Sequence, residues 1–255
     1  MIYLLLSAIS AYLGLSVGLG ESTLLRPLLD VVSPLPVQTV AMLCTVATLA
    51  AALVSAFFAL SEPIPLAQEE LIFLAAGGAL GGALGDLISA RFMAMLPPNG
   101  VVLLQNALLF TLIALPAVYF GMLSSTLRPL GITRMAALPA ALLLGLLASF
   151  LSFGAQPLTI AVYYLLFDAE DREASAAALT IALTAMAGKL LVLFIRYRFS
   201  LPDAGALLWI LPGAILGTLL SFVPSLRLRG TKPGETLLRL SLFTSLLNMA
   251  ASLAG

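Results

Sequence analysis

The sequence predicts an all-α, polytopic helical membrane protein of about eight apolar segments in two homologous halves with broken first helices. Three observations predict it. Hydrophobic residues make up 61% of the 255 and charged residues 9%, with a mean hydropathy of +1.12, whereas a soluble domain is roughly 45–50% apolar and about 25% charged. Apolar stretches close to the roughly 20 residues needed to cross hydrocarbon recur along the whole chain. The stretch AISAYLGLSVGLGESTLLRPLL (Ala8 to Leu29) lies on LLLGLLASFLSFGAQPLTIAVY (Leu142 to Tyr163) without a gap, an offset of 134 that sets Gly20 on Gly154.

Taken in order, the apolar segments run over 2–33 (interrupted), 37–60, 71–92, 101–122, 137–167 (interrupted), 174–195, 205–226 and 236–253. Eight spans occupy roughly 160 positions, which leaves short loops and no room for a soluble domain. Residues 1–17 carry no charge; without the positive n-region of a cleaved signal peptide they read as a retained first segment. The first interruption is GLGESTLLRP, where Gly18 and Gly20 permit a break, Ser22 and Thr23 can cap the helix that restarts, and Glu21 stands at the opening. The second is SFGAQP, where Gly154 allows the turn, Gln156 offers donors and acceptors, and Pro157 suits a first helical turn.

The same offset carries Thr39 onto Glu173 and Leu103 onto Leu237. The third segment needs an offset of 132, pairing GGALGD (Gly81 to Asp86) with GAILGT (Gly213 to Thr218). The domain organisation is therefore a first half over 1–122, a polar linker over 123–136 and a second half over 137–255. Duplication with an interrupted helix in each copy is the pattern of secondary transporters, whose substrates sit near the bilayer midplane where broken helices expose backbone groups. Two helix N-termini facing one cavity favour an anionic ligand.

At these residues the chain resembles the TauE/SafE family, also called the TSUP permeases. GLGESTLLRPLLDVVSPLPVQTVA and SFGAQPLTIAVYYLLFDAEDREASAA are similar to the two copies of that family's glycine-rich motif, and GGALGGALGDLISARFMAMLPP to its third-segment pattern. The resemblance covers almost the whole chain. It implies a multi-pass inner-membrane transporter of small anions, in many members sulfur-containing ones such as sulfite, sulfonates or sulfoacetate, often an exporter. The chain departs from the family pattern at Glu21, where glycine is usual, at Arg26, where an apolar residue is usual, and at Ala155 and Gln156, which replace glycines.

Ionisable groups inside a membrane are costly, so each is a candidate site residue. Lys189 lies inside its apolar segment, sixteen residues and roughly 24 Å along a helix from Glu173. It reads as an anion ligand facing the cavity or the partner of a carboxylate, with a structural ion pair as the plainer alternative. Glu21 could pair with Lys189 and serve coupling or gating; the alternatives are a structural cap or salt bridge, or an interfacial position. Asp86 is a second coupling or gating candidate, although a helix-end carboxylate reaching the interface is the favoured reading. Arg26 reads as a local pair for Asp30 at i+4 ahead of an interfacial anchor. Thr45, Thr180 and Thr184 are further candidate substrate ligands, with Thr39 and Thr48 beside them, but most membrane threonines satisfy their own backbone. The rows Gly77, Gly81, Gly85 and Gly78, Gly82 recur every fourth residue and read as close helix packing.

Several classes are excluded. Lys plus Arg equals Asp plus Glu at 12 each, so no basic surface points to nucleic acid. There is no histidine, which removes imidazole metal sites and proton relays. The single cysteine, Cys44, excludes an internal disulfide and reads as packing. No nucleotide loop, metal cluster or nucleophile–base set occurs, so the chain is read as a non-enzyme without cofactor, powered by an ion or substrate gradient. Its expected partners are a small anion, the lipid bilayer, protons as coupling ion and a second copy in a homodimer. A passive anion channel and a non-transporting scaffold or assembly subunit are the rival functions. Loop charges weakly favour inverted halves: Arg128, Arg134, Arg172, Arg227, Arg229 and Lys232 then share the cytoplasmic side with the linker, opposed by Arg91, Arg196 and Arg198.

Overall fold

The computed structural model describes residues 1–59, 61, 63–96, 98–123, 128–197, 204–223 and 231–254. The described residues are all helix and connection. The helices are α1 (Ile2–Ser16), α2 (Ser22–Val32), α3 (Val37–Ala59), α4 (Gln68–Met95), α5 (Pro98–Val118), α6 (Ala137–Leu151), α7 (Gln156–Phe167), α8 (Asp171–Tyr197), α9 (Ala204–Ser221) and α10 (Thr231–Ala254). A π-helical turn, Tyr119–Leu123, prolongs α5, and a 3-10 turn, Arg134–Ala136, leads into α6. Among the described residues five helical stretches are long and apolar enough to cross a membrane: Val37–Ala59, Gln68–Met95, Leu103–Met122, Arg134–Leu151 and Asp171–Arg196. Ile2–Ser16, Gln156–Phe167 and Gly205–Ser221 are shorter apolar helices. Of the loop charges used for orientation, Arg198, Arg227 and Arg229 and the side chain of Lys232 lie outside the described residues, as do linker residues 124–127.

Glycine decides which helices touch. In lipid the apolar faces gain nothing by leaving the solvent, so helices associate through close backbone approach. A Cβ at Gly81 would overlap the Leu142 carbonyl of α6, and one at Gly85 the Leu146 carbonyl. On the adjoining face, Gly82 meets the Ala185 carbonyl and Gly78 the Thr184 hydroxyl of α8. One helix thus wedges between two neighbours, while its Leu80, Leu84 and Leu87 point outward. Gly213 and Gly217 of α9 lie in the same way against the Leu4 and Ala8 carbonyls of α1.

Both interrupted segments double back. The Tyr3 hydroxyl at the start of α1 is 3.2 Å from the Ser33 hydroxyl just past α2. Arg134 before α6 donates to Glu173 after α7 at 3.1 Å, and the Ile132 amide donates to the Leu166 carbonyl at 2.8 Å. The open ends of the two hairpins face opposite ways. Helix α3 leaves the open end of α1–α2 and spans 23 residues, roughly 35 Å. The chain then turns into α4, whose Glu70 takes both oxygens to Arg134 at 3.0 and 3.1 Å beside the open end of α6–α7. The tips therefore meet in the interior. Arg91 of α4 and Arg196 of α8 line one open cleft with Leu87, Ala90, Ala94 and Met95. Those two arginines share a face of the molecule.

Candidate functional site

The site is where the two hairpin tips touch. At the first, α1 closes on its own last turn: the Leu19 and Gly20 amides donate to the Gly14 carbonyl at 2.8 and 3.1 Å. Gly18 and Gly20 adopt φ of +79° and +81°, a left-handed backbone that glycine alone takes without strain. At the second, the Phe153 amide donates to the Ala148 carbonyl at 2.9 Å. Here the left-handed residues are Ser152 and Ala155, with φ of 52° and 50°. Gly154 has another reason to be glycine: a Cβ there would stand 2.8 Å from the Ser22 hydroxyl and 3.2 Å from the Thr48 methyl. Pro157 is the second residue of α7, where a missing N–H costs nothing.

The tips are joined by side chains rather than by space. The Gly154 amide donates to the Ser22 hydroxyl at 2.7 Å. The Gln156 side-chain oxygen occupies the place a Cβ on Gly20 would need. Ser22 and Thr23 therefore do not cap α2, as their positions suggested: Thr23 donates back to the Leu19 carbonyl at 2.7 Å, and α2 begins without a side-chain cap. Glu21, Ser22, Thr23, Gly154, Ala155 and Gln156 are all buried.

The charged groups sort differently from the sequence expectation. Glu21 does not pair with Lys189; the Ser7 hydroxyl donates to its Oε1 at 3.0 Å, and its Oε2 has no hydrogen-bond partner among the described residues. Lys189, 3% exposed, instead ties down the end of α6. Its Nζ donates to the Ser149 carbonyl and the Ser152 hydroxyl, both at 2.6 Å, and lies 3.9 Å from Asp86 Oδ1. Asp86 is buried within the fold. It is 5% exposed and also stands 3.3 Å from Arg196 Nη1, an ion pair without hydrogen-bond alignment. The i+4 pair of Arg26 and Asp30 is formed, with Nε donating at 2.8 Å, but in the interior and not as a surface anchor.

Thr45, Thr180 and Thr184 donate to the carbonyls of Ala41, Ala176 and Thr180 in their own helices, each at 2.8 Å. A hydroxyl whose proton is so used presents only lone pairs, which an anion does not seek. Thr39 is buried near the start of α3, and Thr48 keeps a buried hydroxyl without a partner among the described residues. Sequence reasoning missed Ser7, Ser152 and Gln105, whose side-chain oxygen accepts from Arg26 Nη2 at 3.3 Å. Gln105 left a signal in LLQNALL, two amides inside an apolar run. It also missed the Glu70, Arg134, Glu173 and Tyr163 cluster, in which the Tyr163 hydroxyl lies 3.3 Å from Glu70 Oε1. Among the described residues no group of three or more acidic or cysteine side chains is placed to hold a metal.

Half-helices meeting tip to tip inside a helical membrane fold are an arrangement that secondary transporters use. The chain belongs to the TauE/SafE sulfite exporter family: the family model described as "Sulfite exporter TauE/SafE" matches residues 3–253, nearly the whole chain. No curated protein and no solved structure matches it.

Proposed function

We propose that the protein is a secondary transporter of the cell inner membrane that exports small anions of the sulfur-oxyanion class, sulfite, sulfonates or sulfoacetate, by alternating access. The reading has two inverted halves, 1–122 and 137–255, joined by the 123–136 linker, each supplying one hairpin tip to a midplane site. The observation that carries it is the Ser22 to Gly154 contact in a chain of this family. Two half-helix N-termini are brought together there, and orphan N–H groups with positive dipole ends suit a negative ligand.

With the tips packed together the passage is closed. Substrate enters when one half rocks against the other and parts Ser22 from Gly154, freeing the hydroxyl of Ser22 and the amide of Gln156 for the anion. Lys189, fixed to Asp86 and to the end of α6, serves as the brace that keeps that tip in place. Glu21 is the coupling group, since its buried carboxylate has one oxygen without a partner and can take up a proton without breaking the Ser7 bond. Export then runs down a proton gradient.

Reconstitution tests this directly. Proteoliposomes loaded with sulfite are expected to release it faster than protein-free vesicles, with a rate that follows an imposed pH difference in the wild type and loses that dependence in Glu21→Gln. Flux that follows only the electrochemical gradient, unchanged in Glu21→Gln, would make the protein a passive channel. No flux and no stabilisation by any sulfur oxyanion would leave the scaffold reading.

A further inference from the structure

We infer that Arg26 is the cationic ligand of the transported oxyanion, an assignment that rests on the transport reading above and names the group that holds the substrate. Of the two cations buried deepest near the tips, only Arg26 has donors to spare. Lys189 spends its ammonium on Ser149, Ser152 and Asp86. The Arg26 guanidinium has five N–H donors. Its Nε takes Asp30 and its Nη2 takes Gln105, while Nη1 is buried without a hydrogen-bond partner among the described residues.

Position agrees with this. Arg26 stands one helical turn past Ser22, so the two share a face of α2, and Ser22 is the residue that touches the opposite tip. The side chain is 3% exposed. Cys44, fully buried on α3, lies within electrostatic reach of Arg26, Asp30, Glu21 and Lys189. A guanidinium nitrogen left unpaired there is costly, because no water or lipid replaces the missing acceptor. An oxyanion supplies it.

The chemistry selects the ligand class. Nη1 is open, and once Gln105 releases its long contact to Nη2 the Nη1 and Nη2 edge presents parallel N–H groups that fit two oxygens of one small oxyanion, as a carboxylate or phosphate is bound by arginine elsewhere. Asp30 remains on Nε and offsets the guanidinium charge. The anion is then held by directed hydrogen bonds more than by net charge, which lets it leave again, as transport requires.

The test uses the purified full-length protein in detergent, with sulfite as probe and thermal shift as readout, and flux in proteoliposomes alongside. Wild type is expected to gain stability with sulfite. Arg26→Gln is expected to lose the sulfite-dependent shift, and Arg26→Lys, which keeps the charge but not the fork, to bind at least tenfold more weakly. Gln105→Glu guards against misfolding of the arginine variants: a carboxylate there occupies the free edge, so sulfite binding falls at least tenfold while the ligand-free melting temperature holds. Sulfite binding within twofold of wild type in Arg26→Lys and Gln105→Glu would overturn the assignment and leave the transport reading intact. Wild-type protein with neither shift nor flux for sulfite, sulfoacetate or a sulfonate such as taurine would overturn the transport reading, and the assignment with it.

Discussion

Lys189 was legible in the sequence as an ionisable group inside an apolar segment, and it is buried in the fold. Its partners were not legible. Asp86 is on α4 and the Ser149 carbonyl on α6, and only the packing of three helices brings them together. The same limit explains why the sequence leaves Lys189 open as a partner for Glu21, although a hydroxyl fourteen residues earlier holds Glu21 in the structure. By contrast the Arg26 and Asp30 pair was readable, since i and i+4 are neighbours on any helix. The buried pair between Lys189 of α8 and Asp86 of α4 sets an expected outcome. Lys189→Met removes one partner and leaves Asp86 buried with a poorly aligned Arg196, so the folded state should lose about 3–5 kcal/mol. Adding Asp86→Leu to that variant should recover more than half, because the second substitution removes the charge that the first stranded. Detergent melting curves of the two single variants and the double variant measure the coupling; purely additive losses would show that the pair contributes no interaction energy.

At the scale of elements, the apolar segments were visible because hydropathy and the length needed to cross a bilayer are both local properties. Both breaks were visible for a related reason: a glycine pair or a proline marks a change of backbone direction. What fixed the second break was less obvious, because Ser152 and Ala155 take the left-handed positions and the glycine is reserved for contact with Ser22. The glycine rows also misled the register. Gly77 lies against the Leu138 carbonyl and Gly213 against that of Leu4, while Gly81 meets Leu142 and Gly217 meets Ala8. Under the 134-residue frame these contacts pair Gly77 with Gly213, one helical turn from the pairing with Gly81 that the sequence suggested. A motif with period four can slip by one turn without a visible penalty. The seam makes a prediction opposite to that for a soluble helix. Gly82→Ala adds a methyl against the Ala185 carbonyl and should destabilise by about 1–3 kcal/mol. Leu80→Ala, on a side chain 57% exposed toward the surrounding lipid, should change the melting temperature little, because lipid tails replace the lost contacts as well as protein would. Melting temperatures of both variants in the same detergent decide it.

At the scale of the molecule, charge counting along the loops weakly favours inverted halves over a single crossing for each interrupted segment, and two contacts in the packing bear on that choice. If each interrupted segment crossed the membrane once, Arg134 and Glu173 would lie on opposite faces, as would Arg91 and Arg196. In the structure the first two are hydrogen-bonded and the second two line one cleft. Folded-back hairpins satisfy both contacts, and they put the start of α1 on the face where α4 ends. The arrangement is testable with single cysteines, since the native Cys44 is fully buried and contributes little background labelling. Leu130→Cys and Glu170→Cys, both at exposed positions near the linker, should react with a membrane-impermeant maleimide only from the cytoplasmic face. Ile2→Cys and Met95→Cys, exposed at the other end, should react only from outside. The decisive comparison is within pairs. A single crossing for each interrupted segment would move Glu170 to the side of Met95 and Ile2 to the side of Leu130. Labelling of Glu170→Cys together with Leu130→Cys would show the second hairpin open toward the linker. Labelling of Ile2→Cys with Met95→Cys would show the first open toward the opposite face, the geometry that alternating access between two opposed tips needs.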